Sequence, residues 1–282
     1  MIFDKNFISV FDQKLLYNGL MTKGNTSYTD KLDPQWLQEE LAFSVTFMEN
    51  SQSTQIDAKK AKEKEALVLP HLFIANHQTA AVGRFSRPFF ASNNQGIYMS
   101  LYLPVKAEKE LSTYTMMAAS SIVKAIKKLT HIDTQIKWVN DIYRNGKKIA
   151  GILTETTTNK KTGQTDGVII GIGINFSISD FPVELQEKAG SLFDATPTIS
   201  RNALIREIWQ LFFTIPEYDH IKVYKEKSLV LGQRVQFSEN GKLFSGLTTD
   251  LLNSGTLVVE LDNGEVKYLS SGEISLDSWS DQ

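Results

Sequence analysis

KWVNDIYRNGKKIAGILTE, residues 137–155, decides the reading of this chain. It sets four polar groups of different chemistry, Lys137, Asn140, Asp141 and Lys148, on what reads as one tight hairpin. Ile142-Tyr143-Arg144 and Ile149-Ala150-Gly151-Ile152-Leu153 have strand character, and Asn145-Gly146 between them tolerates the positive φ of a two-residue turn. Such a ribbon can aim an amide, a carboxylate and an ammonium at one small charged ligand, and Gly151 leaves room for that ligand near the backbone. On spacing alone, an ordinary hairpin with solvated charges fits as well.

Working outward, FSVTFM reads as a strand, residues 53–65 as a helix whose lysines and glutamates form a solvated face, and LFIANHQ (72–78) and GIYMSLYLP (96–104) as strands. Leu111 to Leu129 is an amphipathic helix with Tyr114, Met117, Ala118, Ser121, Ile122, Ala125, Ile126 and Leu129 inward. After the hairpin come a polar loop at 156–166, an apolar strand GVIIGIGINF (167–176), and a helix from Arg201 to Phe213 with Ile205, Ile208, Trp209 and Phe212 inward. Beyond Gly232 the rhythm changes to short strands punctuated at Asn240-Gly241, Asn253-Ser254-Gly255 and Asp262-Asn263-Gly264, as in a small all-β barrel. The expected domains are an extension (1–40), an α+β domain (41–228) and the barrel (229–282). The α+β domain should be a mixed, mostly antiparallel sheet with helices packed on one side. Asp33-Pro34 opens a short helix through Leu41.

The 282 residues suffice for one large and one small domain, and a net charge of −2 gives no global attraction to nucleic acid or anionic membrane. There is no cysteine, which excludes disulfides, thiolate metal sites and cysteine nucleophiles. The N-terminal stretch MIFDKNFISVFDQKLL is interrupted by Asp4, Lys5 and Asp12, unlike a secretory signal, and no apolar run reaches membrane-spanning length. A cytoplasmic protein is expected. His71, His77, His131 and His220 lack metal-ligand spacing and read as structural or surface residues.

The run 137–155 closely resembles, without gaps, the Lys-Trp-Pro-Asn-Asp…Lys-x-Ala-Gly-Ile-Leu-x-Glu signature of biotin protein ligases, with Val139 in place of the proline. LGQRVQF…GEISL resembles that family's SH3-like C-terminal domain, and the likeness covers roughly residues 40–277. The resemblance implies a class II synthetase-like biotin/lipoate ligase fold. The implied activity is ATP-dependent attachment of biotin to a lysine through biotinyl-5'-adenylate. The acceptor would be a biotin carrier domain of a biotin-dependent carboxylase, and the enzyme a monomer or homodimer. Family members that also repress transcription carry a winged helix. Too few residues precede Asp33 for one, so the short form without sequence-specific DNA binding is expected.

By the same resemblance, Lys148, Arg84 and Asp141 are the catalytic candidates. Lys148 and Arg84 would reach the biotin carboxylate and α-phosphate, and Asp141 would orient or deprotonate the incoming lysine amine. Ser53, Thr54, Gln78 and Gly151 join Arg84 and Lys148 around biotin. Arg87, Phe89, Asn140 and Asn175 join them around ATP, Phe89 by stacking on adenine. Mg²⁺ should arrive with ATP, held by phosphate oxygens and water with no protein metal site. The loop 75–100 departs from the family's pattern: Ala81 and Ser86 replace glycines, Val82 an arginine, Phe89 a tryptophan and Asn76 an acidic residue. Gln55 stands where the family has asparagine. Gly171 and Gly173 make no dinucleotide fingerprint and would instead let a ligand lie close to a strand. Two alternatives remain open, a lipoate or octanoyl ligase and a non-catalytic ligand sensor that kept the fold.

Overall fold

The computed structural model describes residues 30–64, 67–105 and 110–276. In chain order its elements are α1 (Pro34–Leu41), β1 (Ser44–Ser51), α2 (Thr54–Lys64), β2 (His71–Gln78), β3 (Gly96–Leu103), α3 (Leu111–Thr130), β4 (Gln135–Lys137), β5 (Asp141–Arg144), β6 (Lys147–Thr158) and β7 (Thr165–Asn175). There follow α4 (Arg201–Thr214), α5 (Glu217–Glu226), β8 (Arg234–Glu239), β9 (Lys242–Leu251), β10 (Leu257–Leu261), β11 (Val266–Leu269) and β12 (Ile274–Leu276). Residues 1–29 of the expected extension lie outside the described residues. Among the described residues, no helix is long and apolar enough to cross a membrane.

The first seven strands form one sheet in the order β1-β2-β3-β7-β6-β5-β4, parallel only between β1 and β2. The last five form an antiparallel sheet, β11-β10-β9-β8-β12. α1 starts where Asp33 accepts a hydrogen bond from the Trp36 amide, and its Leu37 and Leu41 are fully buried with Leu32 in the main core.

The expectation of helices on one side only is overturned. α3, α4 and α1 cover one face, against Leu72, Ile74, Met99, Leu101 and Ile170. α2 lies on the other, where Ala58 meets Phe73, Tyr102 and Ile169, residues whose strand parity points them the opposite way. The lysines of α2 are likewise not simply solvated. Lys59 Nζ is 2.7 Å from Glu155 and Lys62 Nζ is 2.7 Å from Asp166, so this polar face is pinned to β6 and β7 by ion pairs. The loop expected at 156–166 shrinks to 159–164, because β6 and β7 pair as far as Thr158 and Thr165.

α3 is buried on nearly every side, Met116, Ala119, Ser120 and Val123 included, because α4 and α5 pack against it in addition to the sheet. α5 escapes sequence reading, since it buries only His220, Ile221 and Tyr224. The His220 imidazole is fully enclosed with Nδ1 against the Ser120 hydroxyl. Burial holds its pKa down at about 4 from an ordinary 6.5, with Lys124 adding to the depression and the Phe212 backbone, Asp219 and Glu217 opposing it. The unfolded chain therefore takes up this proton at a higher pH than the folded one. The stabilisation is fully present above pH 6.5 and is lost as pH falls toward about 4. Unfolding free energy at pH 5 should be about 2 kcal/mol lower than at pH 7 from this group alone. Urea titrations of the protein and of His220→Gln check it; an unchanged pH slope in the variant would show that another group titrates.

Candidate active site

The hairpin exists as read, with Asn145 (φ 50°) and Gly146 (φ 75°) at its turn. Its register carries a feature that the sequence hides. Tyr143 pairs with Lys148, but Ile142 pairs with Ala150 and Asp141 with Gly151, so one extra residue of β6 bulges at Ile149. In a strict strand, positions 148 and 151 would face opposite ways. The bulge brings both to the Asp141 face, which Lys137 shares through its pairing with Asp141. There Lys148 Nζ lies 2.7 Å from Asp141 Oδ1. The Trp138–Val139 peptide before this cluster is cis.

Pairing continues that row across the sheet as Gly151, Gly173 and Tyr98, and the neighbouring row as Leu153, Gly171 and Ser100. Three glycines on one face leave a groove of 480 Å³ above the backbone. A Cβ at Gly173 would lie 2.7 Å from the Phe89 ring, and one at Gly171 2.5 Å from Gln55 Oε1, so both positions are occupied by side chains from above.

One end of the groove is neutral and polar. Ser53, Thr54 and Gln55, at the start of α2, are almost fully buried. Gln78 Oε1 accepts from the Thr54 amide at 2.7 Å, Thr54 Oγ1 and Ser100 Oγ are 2.8 Å apart, and Ser100 donates to Gln55 Oε1 at 3.0 Å. Gln55 Nε2 donates to Glu155 at 2.8 Å, which fixes which way its amide points. The other end is charged. Arg84, Arg87, Lys137, Lys148 and Lys188 line it against two carboxylates, Asp141 and Glu273, in a chain whose net charge is −2. Arg84 donates to Asn140 Oδ1 at 3.1 Å, and Asn140 donates to Ile152 O at 2.9 Å. Burial lowers the Arg84 pKa against the pull of Asp141 and Glu273, but a guanidinium so placed stays charged at neutral pH. Burial also lowers the Lys137 pKa; Asp141 opposes the shift and Lys148 adds to it. A cavity whose cations outnumber its anions attracts phosphates and carboxylates.

The structure brings together at this groove Ser53, Thr54, Gln78, Arg84, Arg87, Phe89, Asn140, Asp141, Lys148 and Gly151. It does not bring Asn175. That side chain is buried on the same face of β7 as Gly171 and Gly173 but is not among the groove's lining residues, and it donates to Gly190 O at 2.9 Å and Lys148 O at 3.4 Å, bracing the backbone of β6. Gln55 and Ser100 on the polar floor, Lys137 and Lys188 at the charged end, and the small domain's Gly272–Ser275 segment also line the groove. Glu273 forms an ion pair with Arg87. Nothing local in SSGEISL marks Glu273, because its partner lies far away in sequence. Among the described residues, no group of three or more histidine or acidic side chains could hold a metal.

The loop's altered positions differ in consequence. Ser86 (φ 57°) and Phe85 (φ 56°) are both left-handed, so the position where the resemblance places a glycine does need glycine-like backbone, whereas Ala81 does not. Ser86→Gly should make that turn more favourable by about 1 kcal/mol, partly offset by glycine's greater freedom in the open loop. The amides of Gly83 and Phe89, bonded within the loop to Arg87 O and Ala81 O, should then exchange with solvent several-fold more slowly. Unchanged exchange would mean that the left-handed turn does not limit the loop.

Residues 47–175 match the model of the biotin/lipoate A/B protein ligase family, and residues 230–277 that of the biotin protein ligase C-terminal domain. The bifunctional ligase/repressor BirA of Bacillus subtilis is 34% identical over 219 residues, 73% of this chain and 66% of that protein. The biotin–[acetyl-CoA-carboxylase] ligase of Mycobacterium tuberculosis is 29% identical over 72% of this chain and 77% of that protein. The chain thus spans just under two thirds of the length of the Bacillus relative. The biotin protein ligase from Aquifex aeolicus, solved in complex with biotin and ATP, shares the fold with a TM-score of 0.69 and 24% identity, over 82% of this chain and 97% of that one. With both family models matched in order and the groove lined by the side chains of its signature run, the chain belongs to the biotin/lipoate A/B protein ligase family and carries the biotin protein ligase C-terminal domain.

Proposed function

We propose that this protein activates biotin with ATP to biotinyl-5'-adenylate and transfers the biotinyl group to a lysine of a biotin carrier domain. The observation that carries the reading is the two-ended groove. Biotin has a ureido head that donates and accepts hydrogen bonds and a carboxylate tail. The Thr54, Gln55, Gln78 and Ser100 floor suits the head, and the Arg84, Lys137 and Lys148 end suits the tail and the phosphate it attacks. Lipoate would set an apolar dithiolane against those buried hydroxyls and amides and leave them unpaired, which is costly.

In the first step, a carboxylate oxygen of biotin attacks the α-phosphorus, the bond to the β-phosphate oxygen breaks, and pyrophosphate leaves. Two anions must be brought together in line, so the protein's work is charge neutralisation and positioning. Arg84 can hold one oxygen of each partner at once through its planar fork. Lys148 supplies a point charge from the strand beneath. In the second step the acceptor amine, having lost its proton, attacks the acyl carbon and AMP leaves. Asp141, 2.7 Å from Lys148 in the same groove, would orient that amine. Of the described residues lining the groove only Asp141 and Glu273 are carboxylates; Mg²⁺ would come with ATP, liganded by phosphate oxygens and water.

The deciding experiment incubates the protein with ATP, Mg²⁺, biotin and a purified biotin carrier domain and weighs the acceptor by mass spectrometry. A gain of one biotinyl group that requires both ATP and biotin is expected, with lipoate used at least about 100-fold less efficiently. Lipoylation in preference to biotinylation, or binding of biotin without labelling, would overturn the proposal in favour of a lipoate ligase or a sensor respectively.

A further inference from the structure

Arg201 is a cation with no part in the chemistry above, and it is 1% exposed. It opens α4, where the positive end of the helix dipole disfavours a cation, so helix stability does not account for it. Its hydrogen bonds do. Nη1 donates to Asn76 Oδ1 at 3.2 Å and to Gly96 O at 3.1 Å, Nε donates to Asp30 Oδ2 at 2.9 Å, and Nη2 donates to Asp30 O at 2.6 Å. Asp30 Oδ1 in turn accepts from the Arg201 amide at 2.9 Å, so one carboxylate balances the guanidinium and caps a first-turn N–H.

The two remaining acceptors have a shared position. Asn76 lies near the end of β2 and Gly96 begins β3, and the chain between them is the loop that carries Arg84, Arg87 and Phe89. Regular pairing of β2 with β3 stops at Ala75 and Tyr98, so the strands no longer hold each other where the loop departs. Arg201 bridges that gap. Asn76 is itself held, because Nδ2 donates to both Glu49 oxygens at 3.0 Å, and Asn76 O accepts from the Asn94 amide at 3.2 Å on the returning arm. We infer that Arg201, with Asp30 as its counter-ion, is a positioning residue that fixes the base of the groove's loop and thereby the placement of Arg84 and Phe89.

The planar fork is what permits this. A lysine at 201 could reach one acceptor but could not span Asn76, Gly96 and Asp30 together. Unfastening the base lets the loop sample open conformations without melting the sheets, an opening that local hydrogen exchange reads directly.

The test compares the full chain with Arg201→Met and Arg201→Lys by hydrogen exchange, without any ligand, and then by the half-life of bound biotinyl-adenylate. Only the second readout rests on the proposed function. In Arg201→Met the amides of Gly83, Phe89 and Asn94 should exchange at least about tenfold faster while those of β9 and β10 keep their rates, and the adenylate should be lost about tenfold faster. Arg201→Lys should restore neither. If Arg201→Met does not fold, Asp30→Asn, which keeps the shape and removes the charge, should give the same pattern to a smaller degree. Loop exchange that is unchanged, or that rises equally throughout the chain, overturns the inference. Faster loop exchange in a protein that makes no adenylate even unsubstituted would leave the inference standing and remove the functional reading instead.

Discussion

Lys148→Ala should slow biotinyl-adenylate formation by roughly 30- to 1,000-fold while leaving the fold in place, the effect of removing about 2–4 kcal/mol of charge stabilisation from a partly dry site. The ammonium is one-third exposed and pairs with Asp141 at 2.7 Å, so its contribution to global stability is small, about 1 kcal/mol or less. Its loss acts twice on the chemistry. The cation disappears, and the Asp141 carboxylate is left without this partner beside the position the proposed reaction gives to the phosphate. Lys148→Ala combined with Asp141→Asn should therefore be less impaired in the first step than Lys148→Ala alone, although still slow in transfer to the acceptor. Pyrophosphate release in a single turnover measures the first step without the second. If Lys148→Ala releases pyrophosphate at the unsubstituted rate, the lysine is not at the reacting phosphate.

The hairpin and the helices α3 and α4 were legible because each rests on local period or on a turn dipeptide, whereas the order of the strands in the sheet is fixed by pairing between distant segments. Asn145-Gly146 announces its turn, and the inward set of α3, from Tyr114 to Ile126, is buried as the helical period demands. Three things resisted reading for one reason: each depends on residues distant in sequence. The bulge at Ile149 is set by pairing, and without it Lys148 and Gly151 would not share a face. The side of the sheet that α2 takes follows from strand parity combined with the parallel β1–β2 pairing, so the groove is bounded by a helix on the face expected to be bare. Glu273 reaches the groove from the small domain, and Trp138 Nε1 donates to Gly255 O at 2.9 Å across the same junction. Asn175 shows the converse. Its polar side chain shares the face of Gly171 and Gly173, and there its amide nitrogen donates to the carbonyls of Gly190 and Lys148, both set by distant chain segments.

Arg84→Ala should lower kcat/KM for both biotin and ATP by roughly 100- to 1,000-fold, because one side chain is asked to hold an oxygen of each. The geometry favours that double role. Arg84 leaves a short turn over the groove, its guanidinium lies 5.0 Å from the centre of the Phe85 ring, and its hydrogen bond to Asn140 aims the fork at the charged end. A group that binds one substrate alone would raise one KM, whereas a bridge between two anions should raise both and also lower kcat. Arg84→Lys should recover little, since a point charge cannot bond two oxyanions in a plane. The control is Lys222→Ala on the outer face of α5, where the side chain is 63% exposed, and its effect should stay within about 0.5 kcal/mol. Steady-state kinetics with each substrate varied in turn separates these outcomes. If Arg84→Ala raises only the KM for ATP, the arginine belongs to the nucleotide alone, and the biotin carboxylate must be held by Lys137 and Lys148, the two ammonium groups that the bulged hairpin places on the same face.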